Sequence, residues 1–151
     1  MAYAADTTVT ISRSKDEIER IVTRYGATAF MIGWAAGGAA VRFDMRERRI
    51  QFLLHLPDVE SFRSTPTGQS RSASAAKAAA DKEHRRLWRA LGLVIKAKLE
   101  AVESGIVTFD QELGMHFVLP NDQTVYDAVR PGIEAAYEHG DMAPLLQIGR
   151  G

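Results

Sequence analysis

Apolar positions recur along this chain with two periods, and each predicts a kind of element. The segment TTVTIS at 7–12 is rich in β-branched residues and predicts a short edge strand. Ile18, Ile21, Val22 and Tyr25 then follow at the i, i+3, i+4, i+7 spacing of a helix that buries one stripe. Ahead of them, Ser14-Lys15-Asp16-Glu17 has the form of a capping box, and Gly26 supplies the left-handed C-cap. Three strand-like runs come next, Thr28 to Ala35, Ala40 to Met45 and Arg49 to Leu56, separated by Gly37-Gly38 and by the charged turn Arg46-Glu47-Arg48. Val41, Phe43 and Met45 alternate with Arg42, Asp44 and Arg46. Ile50, Phe52, Leu54 and Leu56 alternate with Arg49, Gln51 and His55. Period two over both runs predicts an antiparallel meander with one apolar face and one polar, cationic face.

After Pro57-Asp58 the pattern lapses. Residues 64–74, STPTGQSRSAS, hold no large apolar anchor and read as a mobile loop, of the length at which loops are often functional. The helical period then returns from about Ser74 to Ser104. At about 100° per residue, Lys82, Arg85, Arg86, Arg89 and Lys96 fall within roughly 100° of arc. Leu87, Trp88, Leu91, Val94, Ile95, Leu99 and Val102 occupy the opposite arc. Lys98 alone lies among the apolar positions, where snorkelling of its ammonium to water is expected and an internal ion pair or a site facing a subunit interface is the alternative. Gly105 ends the helix. Thr108 caps a short turn through Glu112, Met115 to Leu119 reads as a fourth strand, and Thr124 caps a helix that Pro131 kinks or restarts before His139-Gly140. The last residues, 141–151, form an apolar tail. The expected fold is a single α+β domain over 1–151: N-terminal helix, antiparallel β-meander, one long amphipathic helix covering the sheet, and a small C-terminal strand and helices.

Composition changes this picture little. At 151 residues with 46% hydrophobic side chains, the chain is ordinary for one globular domain able to bury a core. It has no run of the length a membrane span needs, and MAYAADTTVT does not read as a signal peptide. Cysteine is absent, which excludes disulfides, cysteine-ligated zinc and thiol catalysis and fits a cytosolic setting.

Charge changes it more. The net charge of zero conceals a polarised chain: residues 63–100 carry 9 basic and 3 acidic side chains, and residues 101–151 carry 2 and 8. Such a chain can dock a polyanion with its middle and a basic partner with its end, unless the two neutralise each other in the fold.

Candidate chemistry follows from this. His55, His84, His116 and His139 have no metal-ligand spacing, and Gly37-Gly38 precedes a strand rather than a helix, so neither a metal site nor a phosphate loop is expected. No cofactor and no catalytic residue are expected. A hydrolase with an unrecognised histidine–carboxylate site is the enzymatic alternative. For His116, between Met115 and Phe117, a structural role is the plainer expectation.

Nucleic-acid binding rests on three groups. The helix stripe of Lys82, Arg85, Arg86, Arg89 and Lys96 presents cations along one line. Arg63 and Arg71 flank or lie in the Ser/Thr-rich loop, where hydroxyls and guanidiniums both suit phosphate contacts. Arg42, Arg46 and Arg49 belong to the polar sheet side, with Tyr25 and Trp34 as aromatics able to stack on bases. The competing reading of each is plain: a solvated helix face, an ordinary loop, and core aromatics. A third class is a protein-binding module, with the acidic C-terminal third and the apolar tail as its contact region.

RYGATAF, RIQFLLHLPD, and above all WRALGLVIKAKLEAVESGIVTF with HFVLPNDQTV resemble a family of small phage and prophage proteins, over about Ser14 to Leu146. The resemblance implies a phage origin and action in the cytoplasm of a bacterial host, and it carries no activity or functional residue with it. The order helix, β-meander, long helix is also similar to the core of phage single-strand annealing proteins. The leading expectation is a phage-encoded, non-catalytic protein that binds single-stranded nucleic acid in replication or recombination, as a homo-oligomer. The alternative is an inhibitor that binds a host defence protein complex, of anti-CRISPR or similar kind. No membrane partner is expected.

Overall fold

Thr10, rather than Ser14, caps the first helix. In the computed structural model, which describes residues 8–142 and 145, α1 spans Ile11–Arg24 and the Arg13 amide donates to the Thr10 hydroxyl at 3.2 Å. Starting a turn earlier than the capping-box reading adds Ile11 to the apolar stripe, where it packs against the core. It also turns Ser14, three residues on, to the same buried side. The edge strand expected at 7–12 does not form over the described residues, since Ile11 and Ser12 are already helical. Gly26 ends the helix at φ 107°, as a left-handed glycine cap does.

The meander forms as the alternation predicts. Strands β1 (Ala29–Ala35), β2 (Gly38–Met45) and β3 (Arg48–His55) make one antiparallel sheet in the order β1-β2-β3. Val41, Phe43, Met45, Ile50 and Phe52 are buried on one face, with Leu54 and Leu56 partly buried beside them. The first hairpin turns through Ala36 and Gly37. Gly38 must be glycine, because a Cβ there would lie 1.9 Å from the backbone oxygen of Leu54. The second hairpin turns through Arg46 and Glu47, both with positive φ (50° and 62°), which suits the right-handed twist of the strands it joins. The Arg46 guanidinium lies 4.9 Å from the centre of the Phe109 ring, which anchors this turn.

The long helix α2 spans Ala73–Glu103, with the Ser72 hydroxyl accepting from the Ala75 amide and Ser104 as C-cap. Its alanine-rich start favours helix intrinsically. Trp88, Leu91, Ile95 and Leu99 then share one core with Ile18, Ile21 and Val22 of α1 and the apolar sheet face. The two helices run in the same direction: Lys15 lies over Trp88, Ile18 meets Gly92, and Tyr25 comes beside Lys96.

Residues 64–72 are a closed loop. Ser64 bridges Ser70, the Arg71 amide donates to the Arg63 carbonyl at 2.7 Å, and the Thr65 amide donates to the Gln69 carbonyl at 2.7 Å.

The C-terminal part wraps the outer edge of β3. Helix α3 (Phe109–Leu113) begins with a capping box between Thr108 and Gln111, and a 3-10 turn covers Gly114–His116. The stretch expected as a full fourth strand, Met115 to Leu119, pairs with the sheet through a single bridge, Ile50↔Phe117. Its reach is cut by the 3-10 turn before it and by Pro120 and the reversal at Asp122 after it. Helix α4 (Val125–His139) is capped by Thr124 and runs through Pro131 without restarting, to a left-handed Gly140. Of the apolar tail at 141–151, only residues 141, 142 and 145 are described, and Leu145 packs on Gly132 of α4.

Candidate nucleic-acid interface and neighbouring surfaces

The cations singled out from sequence fall on two sides of the molecule. Burying Trp88, Leu91, Ile95 and Leu99 against the sheet turns Lys82 and Lys96, both exposed, and Arg85 and Arg89, both half-buried, to the side of α2 away from the sheet. These four have no acidic partner among the described residues. Arg86, between them, is held by Glu83 one turn back. From Lys82 to Lys96 the stripe is about 21 Å long, at a rise of 1.5 Å per residue.

Arg42 and Arg49 lie on the opposite face of the sheet, away from α1 and α2, and both are engaged. Arg42 donates to the Gln51 side chain and pairs with Asp122 at 3.1 Å. Arg49 pairs with Asp44 at 3.0 Å, and the hydrogen bond and charge of that carboxylate raise its pKa above the ordinary arginine value. Along that face the strands contribute Met31 and Leu53, both largely exposed, beside Gly33 and Ala40. The face is therefore mixed in character, and its two arginines are tied to carboxylates. Arg71 donates to the Phe62 carbonyl at 3.1 Å and closes the loop, while Arg63 is exposed at the loop's base.

The two aromatics do not join the sheet arginines. Tyr25 is half-buried against the core, with the Arg24 guanidinium 5.6 Å from its ring centre. It shares a shallow depression of about 390 Å³ with Arg24, Lys96, Glu100 and Glu103. The two glutamates oppose an anion there. Trp34 pairs with Ala39 in the register and so belongs to the helix-facing side of the sheet, at an end that no helix covers among the described residues. It is 100% exposed.

Trp34 stands at the rim of a groove of about 590 Å³ lined by Ile11, Ile32, Leu56, Pro57, His84 and Trp88, with Lys15 and Asp58 at its margin. His84 is fixed there through a 2.6 Å contact between Nε2 and the Pro57 carbonyl oxygen. Sequence reasoning did not find this groove. Its signal was the uncharged strand AFMIGWA, which a three-strand meander leaves at a sheet edge.

Lys98 does not snorkel. Its ammonium meets Glu112 at 3.1 Å, with both side chains about three-quarters buried (26% and 25% exposed), so α2 and α3 are joined by an internal ion pair. This pair links the basic segment 63–100 to the acidic one that follows.

His116 stacks on Phe52, with ring centres 4.2 Å apart. Burial, followed by the nearby Lys98 charge, holds its pKa below 6.5. It lines a small depression with Gln51, Thr124 and Asp127. Among the described residues, no three histidine or acidic side chains converge to hold a metal ion, and no helix is long and apolar enough to cross a membrane.

Set against known proteins, the chain matches no family model, no curated protein and no solved structure, so its own residues carry every functional argument that follows.

Proposed function

We infer that the protein is a non-catalytic binder of single-stranded nucleic acid that seats the phosphate backbone on the outer face of α2. The observation that carries this reading is the row Lys82, Arg85, Arg89 and Lys96, cations on one helix face with no ion pair among the described residues, strongest at Lys82, Arg85 and Arg89 and weakened at Lys96 by the neighbouring Glu100 and Glu103. Unpaired cations are free to neutralise phosphates, which releases the cations condensed on the nucleic acid with a gain in entropy. A cation already bound to a carboxylate loses that partner first, so Arg42, Arg49 and Arg86 are weaker candidates than their sequence positions suggest. We further propose, on the likeness of its sequence to small phage and prophage proteins alone, that this binding serves phage replication or recombination in the cytoplasm of a bacterial host.

Fluorescence anisotropy with labelled single- and double-stranded oligonucleotides tests the reading. Binding to the single strand is expected at low salt, with steep loss as salt rises. The combined variant Lys82→Glu, Arg85→Glu, Arg89→Glu is expected to abolish it while circular dichroism is unchanged. Absence of binding to either oligonucleotide at micromolar protein would overturn the reading. The inhibitor of a host defence complex would then be tested by pull-down from host lysate.

A further inference from the structure

We propose that the outer edge of β1 pairs with β1 of a second copy of this chain, forming a twofold dimer with one continuous six-stranded sheet. Among the described residues β1 is paired on one side only, with β2, whereas the far edge of β3 is covered by the bridge at Phe117. An open edge strand is a template for further pairing, and proteins that remain monomeric blunt it with charge or proline. The seven residues AFMIGWA contain neither.

The register is self-complementary. Ala35↔Gly38 closes a two-residue hairpin. By the alternation of antiparallel pairing, Ala29, Met31, Gly33 and Ala35 bond to β2, and Phe30, Ile32 and Trp34 aim their N–H and C=O groups outward. A twofold axis through Ile32 sets those three residues against the same three in reverse. Ile32 then faces Ile32 of the second copy and Trp34 faces Phe30, giving a ladder of about six backbone hydrogen bonds.

The side chains agree with this register on both faces. On the helix side, Trp34, fully exposed in one copy, lies across Phe30 of the other, an aromatic cross-strand pair. On the opposite face, Met31, 58% exposed, lies across Gly33, beside which there is open space. Two tryptophans at about 200 Å² each, two methionines and the two strands approach the ~1,000 Å² that a specific interface requires. The axis runs perpendicular to the sheet, so both α2 helices lie on the same side and turn their cations the same way. The dimer does not depend on the nucleic-acid reading.

Sedimentation velocity of the full chain over a wide concentration range tests the proposal. The mass is expected to rise from 16.6 kDa to twice that value with concentration, as the Trp34 emission shifts to the blue. Trp34→Pro removes one outward N–H and the exposed ring at a position where an edge strand tolerates proline. Met31→Lys adds a charge on the exposed face. Both are expected to stay monomeric with unaltered circular dichroism. Because the chain lacks cysteine, Ile32→Cys is expected to be joined to its counterpart by a short bifunctional thiol cross-linker, and Thr28→Cys is not. A chain that remains monomeric at high concentration, variants that dimerise as the unaltered chain does, or a dimer that Ile32→Cys fails to link would overturn the proposal.

Discussion

At the residue scale, one buried group, Ser14, and one half-buried group, His116, carry most of the testable physics. Ser14 is 2% exposed and its hydroxyl has no hydrogen-bond partner. Leaving a buried hydroxyl unsatisfied costs about 1–3 kcal/mol, and alanine is the better helix former. Ser14→Ala is therefore expected to raise unfolding stability by about 1 kcal/mol, visible as a higher urea midpoint with unchanged slope. A lower midpoint would mean that the hydroxyl has a role in the packing of α1. His116 works in the opposite sense. Its folded pKa lies below 6.5 because burial and Lys98 disfavour the cation, so below that pH the unfolded chain binds more protons than the folded one. Stability from this group is fully present above about 6.5 and is lost as pH falls through the lowered folded value. His116→Gln is expected to flatten that slope in denaturation curves taken at successive pH values, whatever it does to stability at neutral pH.

At the element scale, α2 organises the molecule and α3 shows how. A five-residue helix is far too short to persist alone. It is held by its capping box, by Phe109 and Leu113 in the core, and by the Lys98–Glu112 pair. Because both partners are about three-quarters buried, the pair is expected to be worth more than a surface bridge. A double-mutant cycle with Lys98→Ala and Glu112→Ala should return a coupling of about 1 kcal/mol. Each single change should cost more than the double, since it strands a partly buried charge. A coupling indistinguishable from zero would return Lys98 to the role of an amphipathic stem reaching water. The helices and strands were legible because their periods are strong and their apolar sets long. The start of α1 was misplaced because Thr10 and Ser14 are both competent caps, and the choice between them depended on whether Ile11 could be buried. The fourth strand shrank to one bridge because a β-like composition cannot extend a strand between a 3-10 turn and a proline.

At the scale of the whole molecule, the issue is which charges remain available once the chain has folded. If four cations of α2 meet phosphates, the logarithm of affinity for a single strand should fall against the logarithm of salt with a slope of about −3, at ~0.7 per contact. Arg42→Ala should leave that slope unchanged, since its guanidinium is committed to Gln51 and Asp122. A slope near zero, or one that Arg42→Ala reduces as much as Arg85→Ala does, would move the interface away from α2. Dimerisation through β1 would set two such faces side by side, and their combined avidity would then depend on protein concentration.

What the sequence determined by itself was local and periodic: the class of fold, the span of the long helix, the two faces of the sheet, and the separation of cations from apolar residues around α2. Those follow from spacing along one chain, because a helix or strand places side chains by a fixed repeat. Tertiary structure decided which of those residues are spoken for. Arg42 and Arg49 meet carboxylates, Lys98 meets Glu112, Tyr25 goes to the core margin, and Trp34 stands clear at an open edge. Pairing of charges and exposure of an edge depend on segments far apart in the chain arriving at the same place, and no period in the sequence records that arrival.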